Sequence, residues 1–273
     1  MDKSLFDLAD RVIIVTGATG ALAGSAADYL ASQNARVVYL GRNREKIESA
    51  LARCLAKTPK AQCLGLEADV LDRPALERVR DRVLEKWGRI DGLLNGAGGN
   101  MPGATITPEK SFADLDFEAF QQVVDLNLHG TVLPSLVFVP AMMKSSGAVV
   151  NFSSVSAQQV LTRVVGYSAA KAGVENFTRW LAVDMARRTE GRVRVNAVMP
   201  GFFLGEQNRR LLTNEDGSLT ERGELILRNT PFGRFGQACE LHGAIHYLLA
   251  EASQFVTGHV LAVDGGFTVF SGV

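Results

Sequence analysis

Tyr167 and Lys171 are the residues whose types and spacing first suggest chemistry. At i and i+4 they share one face if the segment is helical, which sets an ammonium beside a phenol. A free tyrosine titrates near 10 and is a poor base at neutral pH, but a cation a few ångströms away favours the phenolate. Bringing the phenol to about 7–8 takes about 3–4 kcal/mol and makes it a usable acid/base. Such a group suits hydride transfer at a carbinol carbon, where a proton must leave or reach the oxygen. Ser154, upstream in Asn151-Phe152-Ser153-Ser154, can hold that oxygen by a hydrogen bond. Asn127, in Asp125-Leu126-Asn127-Leu128-His129-Gly130, falls mid-helix, where asparagine is unfavourable unless its amide is used. It can position a water that links Lys171 to solvent. An isolated Tyr-x-x-x-Lys also suits an amphipathic surface pair. Ser154 and Asn127 give the pair its weight.

These side chains need a scaffold. Short β-branched runs predict strands at 12–16, 36–40, 62–67, 90–95, 148–153, 194–199 and 260–263. Helical periodicity fills 22–33, 44–57, 73–87, 115–144, 168–189 and 237–250. Wholly apolar strands separated by helix-length crossovers indicate a parallel sheet covered on both faces. Right-handed crossovers then give an α/β, Rossmann-type doubly wound sheet of about seven strands, with ligands beyond the carboxyl ends of the strands. Residues 1–273 read as one such domain. The one break in composition is a polar, arginine-rich excursion over 205–234. It leaves directly from the end of the sixth strand, so it is either a solvated loop or a lid over the crevice.

The same strand ends read as a dinucleotide groove. The first strand runs into Gly17-Ala18-Thr19-Gly20-Ala21-Leu22-Ala23-Gly24 and then a helix. A small-residue turn there lets Gly17, Thr19, Gly20, Ala21 and Leu22 meet a pyrophosphate at a helix N-terminus. Asp69 and Val70 end the third strand, where the carboxylate can accept from an adenine amino group. Asn95, Ala97 and Gly98 end the fourth, where small residues let a ribose and nicotinamide lie against the backbone. Pro200 and Gly201 close the groove after the sixth strand. The oxidised nicotinamide's charge would further favour a Tyr167 phenolate. The second strand ends in Gly41-Arg42-Asn43-Arg44, with no acid to select NAD, and arginine pairs well with phosphate. The cofactor is therefore expected to be NAD(P), with NADP favoured by the two arginines, Arg42 and Arg44, and with Arg42 and Asn43 among the contacts.

Bulk properties narrow the partners. Lysine plus arginine and aspartate plus glutamate balance at 29 each, so net charge points to neither nucleic acid nor an anionic membrane. The apolar stretches read as shorter than a membrane span, and MDKSLFDLAD has no apolar signal region. Cys54, Cys63 and Cys239 form no CxxC pattern, and the four histidines no metal spacing. The expectation is a cytoplasmic protein without metal, its tryptophans and phenylalanines in core and interface positions.

As an ordered set, TGATGALAG, DV, NGAG, LNLHG, NFSS, YSAAK, NAVMPG and VTGHVLAVDGG resemble the short-chain dehydrogenase/reductase family over essentially the whole chain. The resemblance implies Asn127, Ser154, Tyr167 and Lys171 as a catalytic tetrad, with Lys171 also bonding the nicotinamide ribose. It further implies a homotetramer packed through the last strand and the two helices before it. Two departures stand out. Ala21 and Ala23 occupy the second and third glycine positions of TGxxxGxG, with Gly20 and Gly24 one residue out of register. Gly205 replaces the threonine of PGxxxT, so backbone near Phe203 would have to meet the carboxamide. Within the family, LLNGAGGN, PGFFLGEQNRRLLTNEDGSLTERG and TPFGRFG resemble the D-mannonate (fructuronate) oxidoreductase branch, implying a sugar-acid substrate. Ser154 and Tyr167 would contact that substrate. Arg209, with Asn208, Arg210 and Arg163 as further candidates, would pair its carboxylate. A 3-oxoacyl-thioester or general ketone reductase is the alternative of the same chemistry, and a non-catalytic cofactor-binding regulator the alternative of another class.

Overall fold

The computed structural model describes residues 4–205, 209 and 211–272. Its centre is a seven-stranded sheet: β1 Val12–Thr16, β2 Arg36–Gly41, β3 Gln62–Glu67, β4 Gly92–Asn95, β5 Gly147–Phe152, β6 Val193–Pro200 and β7 Val260–Val263. The strands lie in the order β3-β2-β1-β4-β5-β6-β7 and every pairing is parallel. The order reverses between β1 and β4, the switch point outside which such sheets bind ligands.

Parallel pairing forces each crossover to be a helix. These are α1 Ala21–Ser32, α2 Arg44–Lys57, α3 Arg73–Trp87, α4 Phe117–Met142, α5 Val165–Thr189 and α7 His242–Leu249, with α6 Glu221–Arg228 in the excursion after β6. Alternation along β1 divides the core. Ile13 and Val15 pack with Ala26, Leu30, Ile47, Ile245 and Leu248 on one face. Val12 and Ile14 pack with Leu76, Val83, Phe138, Met142 and Leu181 on the other. Asn43 caps α2 through Lys46 N–H (2.8 Å), and Asp72 caps α3 through Ala75 N–H (3.0 Å).

One sequence expectation is corrected and two are refined. Helix α4 runs 26 residues and contains an 18-residue stretch of mean hydropathy 1.3, so by length and composition it could span a membrane, contrary to the reading of the apolar stretches as too short. Half of its apolar stretch is buried inside the protein, where Val137, Phe138 and Met142 serve the core. Second, the 205–234 excursion is not merely loop. It contains α6, capped by Thr220 through Gly223 N–H (3.1 Å), and buries its own Leu212, Ile226 and Thr230. Its ends are joined by a parallel bridge between Phe203 and Gly236, with Gly236 N–H donating to Phe202 O (2.9 Å). Third, of the core and interface positions expected for the tryptophans, Trp180, 64% exposed on α5, does not occupy the core of this chain.

Candidate active site

Among the described residues, the strand-end candidates lie at or beyond the carboxyl edge of the sheet, which brings the two halves of the site together. At the nucleotide end, Gly17 has φ +66°, a left-handed turn that glycine adopts without strain. A Cβ there would also stand 2.8 Å from the backbone of Gly96 and Ala97. The Thr16 hydroxyl fastens the same junction by accepting from Gly96 N–H (3.0 Å) and Ala97 N–H (3.2 Å). Gly20 is the N-cap of α1 and offers no side chain, so the N–H groups of Ala21 and Leu22 open the helix without internal acceptors. That leaves a cradle for an anion at the positive end of the helix. Gly24 explains the displaced glycine pattern. A Cβ at this position would lie 2.7 Å from Ala18 O, so the glycine lets α1 pack directly on the β1 turn.

Thr19 lies beside the end of β2, its methyl carbon 3.4 Å from where a Gly41 Cβ would be. Arg42 is exposed and its guanidinium is 3.7 Å from Asp69 Oδ2, while Asp69 Oδ1 accepts from Leu71 N–H (2.9 Å). Val70 is buried against Gly130 of α4. Asn43 Oδ1 is occupied as the helix cap, which leaves its Nδ2 for a ligand. Asn95 offers the groove no side chain. It is buried and turned into the protein, donating to Asn151 Oδ1 (2.8 Å) and Ser135 Oγ (3.0 Å), so only its backbone remains for the groove. Asn151 in turn donates to Thr178 Oγ1 on α5 (2.9 Å), tying β4 and β5 to both neighbouring helices. Pro200 ends β6. Gly201 N–H donates to Val263 O (3.0 Å), and the Phe203 ring is buried against Gly236, so Phe203 presents backbone, not ring, to the groove.

At the chemical end, Asn127 is fully buried within a π turn, Asp125–His129, that interrupts α4. Its Nδ2 donates to Gly99 O (2.6 Å) and Val123 O (2.8 Å), and its Oδ1 accepts from Gly99 N–H (3.1 Å). The amide thus pins the loop after β4, which is the use its mid-helix position implied. Lys171 is buried, and its Nζ donates to Phe152 O at the end of β5 (2.8 Å). The position of a Cβ on Gly98 lies 2.7 Å from Asn127 Oδ1 and 3.5 Å from Lys171 Nζ, so the two side chains converge on one small space. The Lys171 ammonium is 5.6 Å from the centroid of the Tyr167 ring. Burial pushes the Lys171 pKa down to about 8, and burial raises that of Tyr167 while the Ser154 hydroxyl pulls it back. The protein groups alone therefore favour the neutral phenol. Ser154 caps the turn after β5, accepting from Ser156 N–H (3.2 Å) and Ser156 Oγ (3.1 Å).

Two supporting residues were not legible as such. Ser156 orients Ser154, and Glu175 accepts from Ser153 Oγ (2.8 Å) beneath it. Only their polarity within an apolar helix and strand end could have flagged them. The lid arginine Arg209 is exposed, and its N–H donates to Gly205 O (2.9 Å). Asn208 and Arg210 lie outside the described residues. Among those residues, no group of His, Cys, Asp or Glu could hold a metal ion. The histidines are packing partners: the His242 ring stacks on Tyr29 at 4.4 Å, and His246 Nδ1 hydrogen-bonds Tyr29 OH at 2.9 Å.

A doubly wound sheet with a phosphate cradle at β1 and a Ser–Tyr–Lys cluster beyond β5 defines a nicotinamide-dependent oxidoreductase. The chain belongs to the short-chain dehydrogenase/reductase family. A model of that family, described as enoyl-(acyl carrier protein) reductase, matches residues 17–268. An uncharacterized oxidoreductase of Bacillus subtilis is 42% identical over 277 residues, covering 98% of each chain. A crystal structure from Haemophilus influenzae, of a protein provisionally named a D-mannonate oxidoreductase and holding NAD, is 38% identical. It superposes with a TM-score of 0.91 over 98% of both chains. A 3-oxoacyl-[acyl-carrier-protein] reductase of Synechocystis is 32% identical over 266 residues, covering 96% of this chain and 99% of that one.

Proposed function

We propose that the protein interconverts a secondary alcohol and a ketone on a sugar acid, D-mannonate and D-fructuronate being the first pair to try. The observation that carries the reaction type is the convergence of Tyr167, Lys171, Asn127 and Ser154 beside the cofactor cradle. Ser154 holds the substrate oxygen and Tyr167 exchanges its proton. Lys171, held by Phe152 O, supplies the positive charge that makes this exchange feasible and would bond the cofactor ribose. Asn127 keeps the loop at Gly99 in place and faces the same space as the Lys171 ammonium. The nicotinamide, when bound, gives or takes the hydride. With the phenol favoured by burial, Tyr167 is poised to protonate a reduced ketone oxygen.

The polar lid and the likeness to the Haemophilus protein support the sugar acid. The Synechocystis relative and the description of the family model favour a second reading, a 3-oxoacyl-thioester reductase. Initial rates on aldonates and ketoaldonates against an acetoacetyl thioester separate the two, and turnover of the thioester alone would overturn the sugar-acid reading. Tyr167→Phe is expected to lower kcat by about 10²–10⁴-fold while retaining cofactor binding.

For the cofactor we favour NADP, because β2 ends in Gly41-Arg42 without a carboxylate to repel a 2′-phosphate. The NAD held by the Haemophilus protein, and the proximity of Arg42 to Asp69, favour NAD instead. If Arg42 recognises the phosphate, Arg42→Ala lowers the NADP-over-NAD ratio of kcat/KM by at least ~10-fold. We also propose a homotetramer, supported by Leu136 on α4 and Trp180 and Val183 on α5, and by Val269 near the C-terminus, all exposed. A cytoplasmic location fits Cys54 and Cys63, whose sulfurs are 3.9 Å apart as free thiols.

A further inference from the structure

Glu175 is a carboxylate in a place where stability alone gives little reason for one. It lies on α5, and its side chain is only 5% exposed. A buried ion pair is a weak source of stability, and a well-packed apolar side chain often serves a fold as well or better. The charge at Glu175 is nevertheless fully used. Its Oε1 accepts from Ser153 Oγ (2.8 Å) and Gln158 Nε2 (3.2 Å). Its Oε2 accepts from Gln158 Nε2 (3.1 Å) and Arg179 Nη2 (3.0 Å). Only a carboxylate presents two acceptor oxygens, with no hydrogen of its own, to three donor groups.

Two of those donors bracket Ser154. Ser153 precedes it, and Gln158 ends the turn Val155–Ala157 that Ser154 opens. Three consecutive residues at the end of β5 are tied to the same helix. Asn151 donates to Thr178 Oγ1 (2.9 Å), Phe152 O accepts from Lys171 Nζ (2.8 Å), and Ser153 donates to Glu175. Tyr167, Lys171 and Glu175 follow one another at intervals of four along one face of α5. The helix that carries the phenol therefore also grips the chain on both sides of Ser154. Inside that bracket Ser156 donates to Ser154 Oγ from its N–H (3.2 Å) and its hydroxyl (3.1 Å), so the hydrogen of Ser154 is not spent within the turn.

We propose that Glu175 is a positioning residue for the reaction, fixing Ser154 relative to Tyr167 by holding both ends of the serine's turn to the tyrosine's helix. The assignment rests on the reading of Ser154 and Tyr167 as the groups that meet the substrate oxygen. A misplacement of about 1 Å in such a pair costs up to about 10²-fold in rate. The brace therefore acts on kcat and leaves cofactor binding alone.

The test places Glu175→Leu, Glu175→Gln and Ser153→Ala in the wild type and in Ser154→Ala. Each is assayed at saturating cofactor on the alcohol or ketone that the wild type turns over fastest. Glu175→Leu is expected to lower kcat at least ~10-fold, while the Kd for reduced cofactor, read by its fluorescence, stays within about threefold. Glu175→Gln keeps an oxygen for Ser153 Oγ and should recover most of the rate. Ser153→Ala, which deletes one buried atom, should lose at least about threefold and decides the matter if Glu175→Leu does not fold. In Ser154→Ala the group being positioned is gone, so each loss should shrink below about twofold. A staple that only stabilises the fold would lower the rate by the same factor in both backgrounds. That result, or a folded Glu175→Leu enzyme that loses less than the expected factor, overturns the brace and leaves the roles of Ser154 and Tyr167 standing. Ser154→Ala at the wild-type kcat overturns those roles, and the brace with them.

Discussion

Lys171 shows how one side chain balances folding against chemistry. Its buried ammonium has a pKa lowered from 10.5 to about 8, so the folded protein carries a penalty for that charge whenever it is protonated. The penalty, up to about 3 kcal/mol, is present in full below pH 8. It fades as the pH rises from 8 to 10.5, because the unfolded chain then holds the proton more strongly than the folded one. Replacing the ammonium with a thioether should therefore stabilise the protein at neutral pH while abolishing turnover. Denaturant melts of Lys171→Met and wild type, taken from pH 6.5 to 10.5, should show the variant's advantage shrinking with pH. A constant difference would refute the burial penalty. The Tyr-x-x-x-Lys spacing was readable in the sequence because it needs only helical geometry. The pKa directions were not, since the sequence suggested a phenol lowered by its lysine and the fold instead surrounds both groups with protein.

At the scale of elements, all seven strands were legible, with ends within two residues: the five inner strands are apolar runs buried on both faces, and the two partly buried edge strands, β3 and β7, alternate with helices in the same pattern. Helix α6 was hidden because Glu221-Arg222-Gly223-Glu224 is charged, contains glycine and spans only two turns. The π turn in α4 was equally invisible, since widening a helix by one residue leaves no mark on composition. Its consequence is testable through Asn127, the residue it presents. Asn127→Ala removes three hydrogen bonds from a buried site and leaves Gly99 unpaired at both N–H and C=O. A loss of about 2–4 kcal/mol in unfolding free energy is expected, together with a lower kcat. Wild-type stability in the variant would mean that the loop after β4 is held by other contacts.

At the scale of the molecule, the helices that carry the candidate site also carry apolar residues that this chain alone leaves in solvent. Trp180 and Val183 lie three residues apart on α5, the helix that bears Tyr167 and Lys171 on another face. A subunit contact there would brace the catalytic helix from behind. Trp180→Glu combined with Val183→Lys should lower the mass seen by light scattering and reduce thermal stability. A mass that does not change would place the contact elsewhere or show that the chain acts alone. Resemblance, not physical patterning, supplied the tetramer, because an exposed tryptophan in a sequence looks the same as a buried one.

The bridge between Phe203 and Gly236 has a consequence for how such proteins diversify. By closing the two ends of the excursion against each other, it makes the intervening segment an insert whose length and composition are decoupled from the sheet. Substrate preference can then be rewritten there in a single exchange, while the hydride and proton machinery is inherited intact. A chimera carrying the segment between those two residues from a relative of different specificity should fold and retain its cofactor. Its choice of substrate should follow the donor of the insert.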